Sequence, residues 1–225
     1  MVANSLIFGI IPSLVWLTFF MLEDRKKPEP SRMVLYVFIA GGLSTALAAL
    51  PELYIQRLFT AHSIVASSPI FLFSFGLIEE LAKFLAVYIV VKRSKFFDEW
   101  TDGMVYMITA ALGFAALENA LNLIGTDFIV QVTIVRGIGA TLLHALASAL
   151  VGFYWMRRRV PEGLFFAAIL HGVFNLLILK LPGIEVYASI LLLLAAIIVF
   201  HDFEILKHRD QLRSLSLRKR QKRPE

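Results

Sequence analysis

The chain has 225 residues, of which 58% are hydrophobic, and a formal net charge of +5. This apolar fraction exceeds that of an ordinary soluble domain, and several apolar stretches are long enough to cross a bilayer. Because the chain has no cysteine, disulfides, thiolate metal sites and a cysteine nucleophile are excluded.

Taken in chain order, the apolar stretches predict seven transmembrane helices in one all-α, polytopic membrane bundle. The predicted spans are Val2–Leu22, Met33–Leu50, Ile64–Val91, Gly103–Ile124, Phe128–Met156, Gly163–Leu179 and Val186–Phe200. Spans two and five contain the small-residue runs AGGLSTALAA and ALASALVG, which favour close helix packing. We therefore predict a transmembrane domain over residues 1–201 and a basic cytoplasmic tail over residues 202–225.

The basic residues predict how the bundle is oriented. They follow spans one, three and five and recur in the tail, as Arg25, Lys26, Lys27, Arg32, Lys92, Arg93, Lys95, Arg157, Arg158, Arg159 and the basic residues of LRSLSLRKRQKRPE. With seven spans these segments all lie on one side, which the positive-inside rule identifies as the cytoplasm. The N-terminus is then outside and the C-terminus is cytoplasmic. We expect the tail to contact anionic lipid, and we expect no nucleic-acid partner.

Four predicted spans carry polar side chains within apolar sequence, whereas spans one, two and seven carry almost nothing comparable. These side chains are Glu79, Glu80, Lys83, Glu118, Asn119, Asn122, Arg136, His144, Ser148, His171 and Asn175. Residues three or four positions apart share a helix face, so each of the four spans has one polar stripe. Because lipid cannot satisfy polar groups, the stripes must face one another. Glu79, Glu80, His144 and His171 fall near mid-membrane and Glu118 lies closer to the outer face, so we predict one polar chamber displaced toward the outside.

The motifs that are absent narrow the chemistry of this chamber. HExxH, GxGD and GxSG do not occur, which excludes the usual helical zinc protease, aspartyl and serine sites. Glutamate can take a proton from water, and histidine and asparagine can donate hydrogen bonds to an oxyanion. These groups suit amide hydrolysis. Two alternatives remain open: a proton or cation transporter that uses the same carboxylates and histidines, and a non-catalytic protein that binds a partner helix.

Four segments in order resemble the motifs of the PrsW family of bacterial membrane proteases, a family related to the CAAX prenyl endopeptidases and the Abi proteins. The segments are EELAK (Glu79–Lys83), FAALEN (Phe114–Asn119), HALAS (His144–Ser148) and HGVFN (His171–Asn175). The resemblance covers spans three to six. It implies a multi-pass protein of the bacterial cell membrane that performs site-1 cleavage of a membrane-anchored anti-sigma factor. The expected partner is therefore a single-span membrane protein.

The resemblance to the CAAX enzymes also implies roles for particular residues. Glu79 is expected to activate water, and Glu80 or Glu118 is expected to share or position the proton. The CAAX enzymes have histidine where this chain, like PrsW-like sequences, has Glu118, so we expect His144 to supply an imidazole that helps to hold the water. A histidine and an asparagine of the fourth motif, His171 and Asn175, are expected to form the oxyanion site.

The sequence supports two hypotheses about the metal requirement. Two adjacent carboxylates beside Lys83 suit the sharing of a proton, so we expect no resident cofactor. Zinc is the alternative, because PrsW-like proteins have also been described as metalloproteases. In that case His144, His171 and Glu118 would be the ligands, with one coordination position left open. Lys83 would repel a dication if its side chain turned inward.

Overall fold

The computed structural model describes residues 2–23, 27–180 and 185–221, and every regular element within these ranges is an α-helix. The eight helices are α1 (Val2–Glu23), α2 (Ser31–Ala61), α3 (Pro69–Val91), α4 (Asp102–Asn122), α5 (Ile129–Ile138), α6 (Ala140–Met156), α7 (Val160–Lys180) and α8 (Glu185–Gln221). The predicted all-α membrane fold is confirmed.

Six segments of the described chain are long and apolar enough to cross a membrane: α1, α2, α4, the α5–α6 segment, α7 and α8. The remaining predicted span corresponds to α3, whose 23 residues also suit a bilayer crossing. This helix differs from the six because it carries Glu79, Glu80 and Lys83. The side chains of Glu80 and Lys83 are fully buried, so these two charges face the bundle and not the lipid.

Several predicted boundaries differ from the observed ones. The predicted second span ends at Leu50, before Pro51, but α2 continues through Pro51 to Ala61. A proline within a membrane helix is tolerated when neighbouring groups satisfy the freed carbonyl, so Pro51 does not end the helix. The predicted fifth span is divided at Gly139 into α5 and α6. Helix α8 runs through residue 201 without a break, so the described part of the basic tail continues the last span.

The α8 extension packs against the loop between α3 and α4. The Asp210 carboxylate accepts hydrogen bonds from the backbone N–H groups of Trp100 and Thr101, at 2.8 and 3.2 Å. Arg213 donates to the carbonyl oxygen of Asp98 at 2.7 Å. The first part of the predicted tail is therefore held against the helical bundle by specific hydrogen bonds.

Helix α4 lies at the centre of the bundle and packs against α1, α2 and α6. Small residues permit these close approaches, as the runs in predicted spans two and five indicated. Gly41 of α2 faces the backbone of Ala110, and Gly152 of α6 faces the backbone of Gly103, so closely that a Cβ at either glycine would overlap the opposite helix. Helix α3 lies beside α2 and α7. This arrangement surrounds the polar stripes of α3, α4, α6 and α7 with helices.

Candidate active site

The polar stripes predicted on four spans meet in one cluster. Between α3 and α6, the Lys83 ammonium lies 2.8 Å from Nδ1 of His144. Between α6 and α4, Nε2 of His144 lies 2.9 Å from a carboxylate oxygen of Glu118. Between α7 and α3, Nδ1 of His171 lies 3.8 Å from Oε2 of Glu79. The two imidazole ring centres are 5.0 Å apart. The predicted polar stripes therefore face one another, and four helices contribute to this cluster.

The two adjacent glutamates have different surroundings. Both oxygens of Glu80 are occupied: Oε1 lies 2.7 Å from the Lys83 ammonium, and Oε2 accepts a hydrogen bond from the Ser148 hydroxyl at 2.5 Å. Oε2 of Glu79 is buried and has no hydrogen-bond partner among the described residues. It lies 3.5 Å from the Lys83 ammonium and 3.7 Å from Nδ1 of His144. Both carboxylate oxygens of Glu80 are thus engaged by neighbouring side chains, whereas Glu79 has an oxygen that is available to bind a metal or accept a proton.

His144 is oriented by its contacts on both sides. Because an ammonium can only donate, Nδ1 must accept the hydrogen bond from Lys83, and Nε2 then carries the proton that is donated to Glu118. A guanidinium nitrogen of Arg136 lies 2.8 Å from the other oxygen of Glu118. Glu118 therefore holds His144 from the side opposite Glu79. Its predicted share in proton transfer stays a prediction.

Glu79, His144 and His171 form a group that could hold a metal ion. One ligand atom from each lies within 4.8 Å of the other two. Oε2 of Glu79 and Nδ1 of His171 are both buried without a hydrogen-bond partner among the described residues, and buried polar atoms are rarely left unsatisfied. A carboxylate and two imidazoles are typical ligands of a catalytic zinc with one open position. These residues fit a divalent metal.

This group differs from the ligand set that we expected for zinc. Glu79 takes the place of Glu118 in it. Glu118 instead accepts a hydrogen bond from Nε2 of His144. A carboxylate in this position usually orients a metal-binding histidine. The motif spacing did not distinguish these roles, because both glutamates lie on helix faces that point into the same chamber.

Lys83 lies where it would compete with a metal for His144. Its ammonium already contacts Nδ1, the ring nitrogen that Glu118 leaves available. It also lies 4.3 Å from the centre of the Phe114 ring. A metal bound through Nδ1 would require the ammonium to release His144 while keeping its contact with Glu80. The side chain of Lys83 does turn inward, and its repulsion of a dication stays a prediction.

The remaining predicted polar residues have other surroundings. Asn119 accepts a hydrogen bond from Arg136 at 2.7 Å and donates to Thr141 at 2.9 Å, so it braces α4 against α5 and α6. Asn122 donates to the backbone of its own helix. Asn175 is half-buried and lies four residues after His171 on α7. Its role at the oxyanion stays a prediction.

A further acidic side chain of the chamber, Glu52 of α2, lies outside the predicted spans. Its Oε1 is buried without a hydrogen-bond partner among the described residues, and it interacts electrostatically with Glu118, Lys83 and Glu79. The predicted second span ends two residues earlier, at Leu50, so Glu52 falls in the predicted loop that follows it. The apolar residues of PELYIQRLF, which continue the helical pattern beyond Pro51, were the signal that could have found it.

Gly76 of α3 permits the close approach of His171. A Cβ at position 76 would lie 2.8 Å from Cβ of His171, which neither helix can accommodate without moving. Alanine in place of glycine usually stabilises a helix by about 0.5–1 kcal/mol. Here we expect Gly76→Ala to lower the free energy of unfolding by about 1–3 kcal/mol, because it overpacks the α3–α7 contact. Thermal and denaturant unfolding in detergent would measure the change.

Gly42→Ala is the matched control for this prediction. Its Cβ would lie 3.4 Å from the nearest atom, the carbonyl oxygen of Gly113, which is an ordinary contact. A stability gain of equal size in both variants would show that α3 and α7 are not closely packed at His171.

The sequence comparisons agree with this geometry. Residues 29–201 match the family model described as "PrsW family intramembrane metalloprotease". The chain is 34% identical over 181 residues to "Protease PrsW" of Geobacillus kaustophilus (strain HTA426), which covers 76% of this chain and 78% of the relative. It is 32% identical over 188 residues to "Protease PrsW" of Bacillus subtilis (strain 168), covering 78% and 83%. A more distant relative of the same name, from Clostridioides difficile (strain 630), is 26% identical over 96% of this chain and 98% of its own. No solved structure matches the chain significantly.

Proposed function

Because the chain belongs to the PrsW family of intramembrane metalloproteases, and is thus a multi-pass bacterial membrane protease, we propose that it is an endopeptidase that cuts a single-span membrane protein with the cluster around Glu79. The observation that carries this proposal is the group of Glu79, His144 and His171, which comes from three different helices. Two of its members present buried, unpartnered atoms to each other.

We assign the metal to these three residues. Glu79, His144 and His171 would hold the ion, and Glu118 would keep His144 in the orientation that binds it. A divalent metal in such a site supplies Lewis acidity, which polarises a carbonyl and makes water a stronger nucleophile. The family description and the ligand group favour zinc over our expectation of a cofactor-free site.

The chain's own residues carry the proton and position the substrate in this proposal. With one oxygen of Glu79 on the metal, its other carboxylate oxygen would accept the proton of the attacking water, because Glu80 and Glu118 are engaged by Lys83 and Arg136. Hydrogen-bond donors near His171 would stabilise the oxyanion, and Asn175 is the nearest amide on the same helix face. The surrounding apolar helices limit the access of water, which strengthens these electrostatic interactions.

The substrate class that we propose is a membrane-anchored anti-sigma factor, cut at site 1. Its support is the resemblance of the four ordered motifs to the PrsW family, and we propose with it that the protein acts in a stress response. We also propose that the basic tail contacts anionic lipid, because lysines and arginines next to a membrane are attracted to anionic headgroups.

The decisive experiment combines purified protein with a single-span substrate in detergent or nanodiscs. A cut peptide with a defined new end supports the protease. Ion flux through protein in liposomes, without any cleavage, would support the transporter alternative. Stable binding of the substrate without cleavage and without ion flux would indicate a protein that only binds a partner helix.

We expect the cut to fall near or beyond the outer end of the substrate's span. Glu118 lies four residues from the outer end of α4, and Glu79 and His171 lie closer to the middle of α3 and α7. With the N-terminus outside, as the basic loops predict, the cluster lies between mid-membrane and the outer face. Mass spectrometry of the fragments would locate the cut, and a cut at the cytoplasmic border would contradict either the orientation or the site.

A further inference from the structure

Glu52 is a carboxylate of the chamber for which the proposed mechanism has no role. It lies on α2, one helical turn after Ala48, which packs with Phe114 of α4 in a small buried cluster. Glu118 lies one turn after Phe114 on α4. Residues one turn apart share a helix face. Glu52 therefore lies on the α2 face that contacts α4, one turn beyond that contact, and Glu118 lies one turn beyond it on α4. It therefore lies at the level of the chamber and faces it.

The electrostatic surroundings of Glu52 agree with this placement. Its carboxylate interacts with Glu118 and Lys83, and it contributes to the field at Glu79. Its Oε1 is buried without a hydrogen-bond partner among the described residues. A carboxylate oxygen withdrawn from water costs free energy unless it gains a hydrogen bond or a cation.

The other carboxylates of the chamber have partners. Glu80 has Lys83, Glu118 has Arg136, and Glu79 belongs to the group that could hold a metal. Glu52 is not a member of that group. Among the described residues, Glu52 forms no ion pair and its buried Oε1 has no hydrogen-bond donor, so a cationic donor on a bound substrate would satisfy it.

We propose that Glu52 is a specificity-determining residue, which binds a lysine or arginine side chain of the substrate close to the peptide bond that is cut. This inference rests on the proposed endopeptidase function and names one feature of its substrate. A substrate strand that reaches Glu79 from the outer face passes the level of Glu118, and Glu52 lies at that level. A buried carboxylate that meets a cation there gains a charge-assisted hydrogen bond, which is stronger than a neutral one.

The experiment uses full-length protein and single-span peptides in which each position flanking the cut is in turn lysine or methionine. Methionine has about the length of lysine but no charge. At one position we expect kcat/KM for lysine to exceed that for methionine by about tenfold, the ratio that about 1.4 kcal/mol would produce. In Glu52→Gln that ratio should fall to about one. Glu52→Lys should reverse the preference, so that a glutamate peptide is cut faster than the lysine peptide.

Glu162→Gln is the matched control, because Glu162 is an exposed glutamate at the start of α7 that pairs with Arg159. This variant should keep the lysine-to-methionine ratio of the wild type. The affinity of each peptide is also measured by fluorescence anisotropy with Glu79→Gln and with the Glu79→Gln/Glu52→Gln double variant. This readout needs no turnover, so it reports on Glu52 separately from the protease activity.

The outcomes separate the two proposals. If the wild type cuts the peptides without a lysine preference, or if Glu52→Gln slows all peptides by one common factor, Glu52 is not a specificity residue. If Glu52→Gln lowers kcat for all peptides by one common factor and leaves KM unchanged, Glu52 is a proton-transfer group instead. If no peptide is cut but the Glu79→Gln protein binds lysine peptides more tightly through Glu52, the binding role stands and the endopeptidase function fails.

Discussion

Glu79→Gln should lower the rate of substrate cleavage by at least about a thousandfold, because it removes both a proton acceptor and a ligand oxygen. The amide keeps the shape of the side chain, and Oε2 of Glu79 has no hydrogen bond to lose among the described residues. Folding and membrane insertion should therefore stay near those of the wild type. Cleavage of a single-span substrate and thermal unfolding in detergent would be measured on the same preparation.

Glu80→Gln provides the comparison within the same dipeptide. It removes the carboxylate that lies 2.7 Å from the fully buried Lys83 ammonium, and a buried charge that loses its partner typically costs about 3–5 kcal/mol. We therefore expect Glu80→Gln to lower the unfolding temperature more than Glu79→Gln does, because the Glu79 carboxylate lies farther from the ammonium, at 3.5 Å. Normal turnover by Glu79→Gln, or equal loss of stability in both variants, would contradict the division of roles between the two glutamates.

Removing the metal should abolish cleavage, and added zinc should restore it. Elemental analysis of the purified protein should find about one zinc per chain, as a site with three protein ligands predicts. His171→Ala should lose this stoichiometric zinc, because it deletes one imidazole of the group formed with Glu79 and His144. Glu118→Gln should retain zinc with an affinity lowered by about 10–100-fold, the usual effect of losing a group that orients a ligand.

His201→Ala is the control for the metal experiment. The His201 side chain on α8 is 73% exposed and does not belong to the ligand group, so its zinc content should match that of the wild type. Protein that is shown to be free of metal and still cleaves at the normal rate would restore the cofactor-free interpretation. Glu79 would then act as a base without a metal.

The family and the polar chamber could be predicted from the sequence because both depend on local pattern. Stripes of polar residues on four apolar segments must face one another in lipid, whatever the detailed packing. His144, His171, Glu79 and Glu118 were therefore expected together, and the structure places them together. The comparisons confirm the family that the four ordered motifs indicated.

Two features of the chamber could not be predicted from spacing alone. Adjacent residues on a helix point about 100° apart, and only packing decides which of them meets a given neighbour. Ser148 and Lys83 engage Glu80, which leaves Glu79 to face the histidines. Glu52 is the second feature, because a proline such as Pro51 usually marks a helix end in sequence, whereas α2 continues through it.

The sequence by itself determined that this chain is an all-helical membrane protein with one shared polar chamber, because apolar length and helical periodicity are local properties of the chain. Only the tertiary structure decided the partner of each charge. The contacts of Glu79 with two histidines, of Glu118 with Arg136, and of Glu80 with Ser148 depend on how α3, α4, α5, α6 and α7 approach one another. In a low-dielectric interior those distances determine which carboxylate is neutralised and which remains available for chemistry.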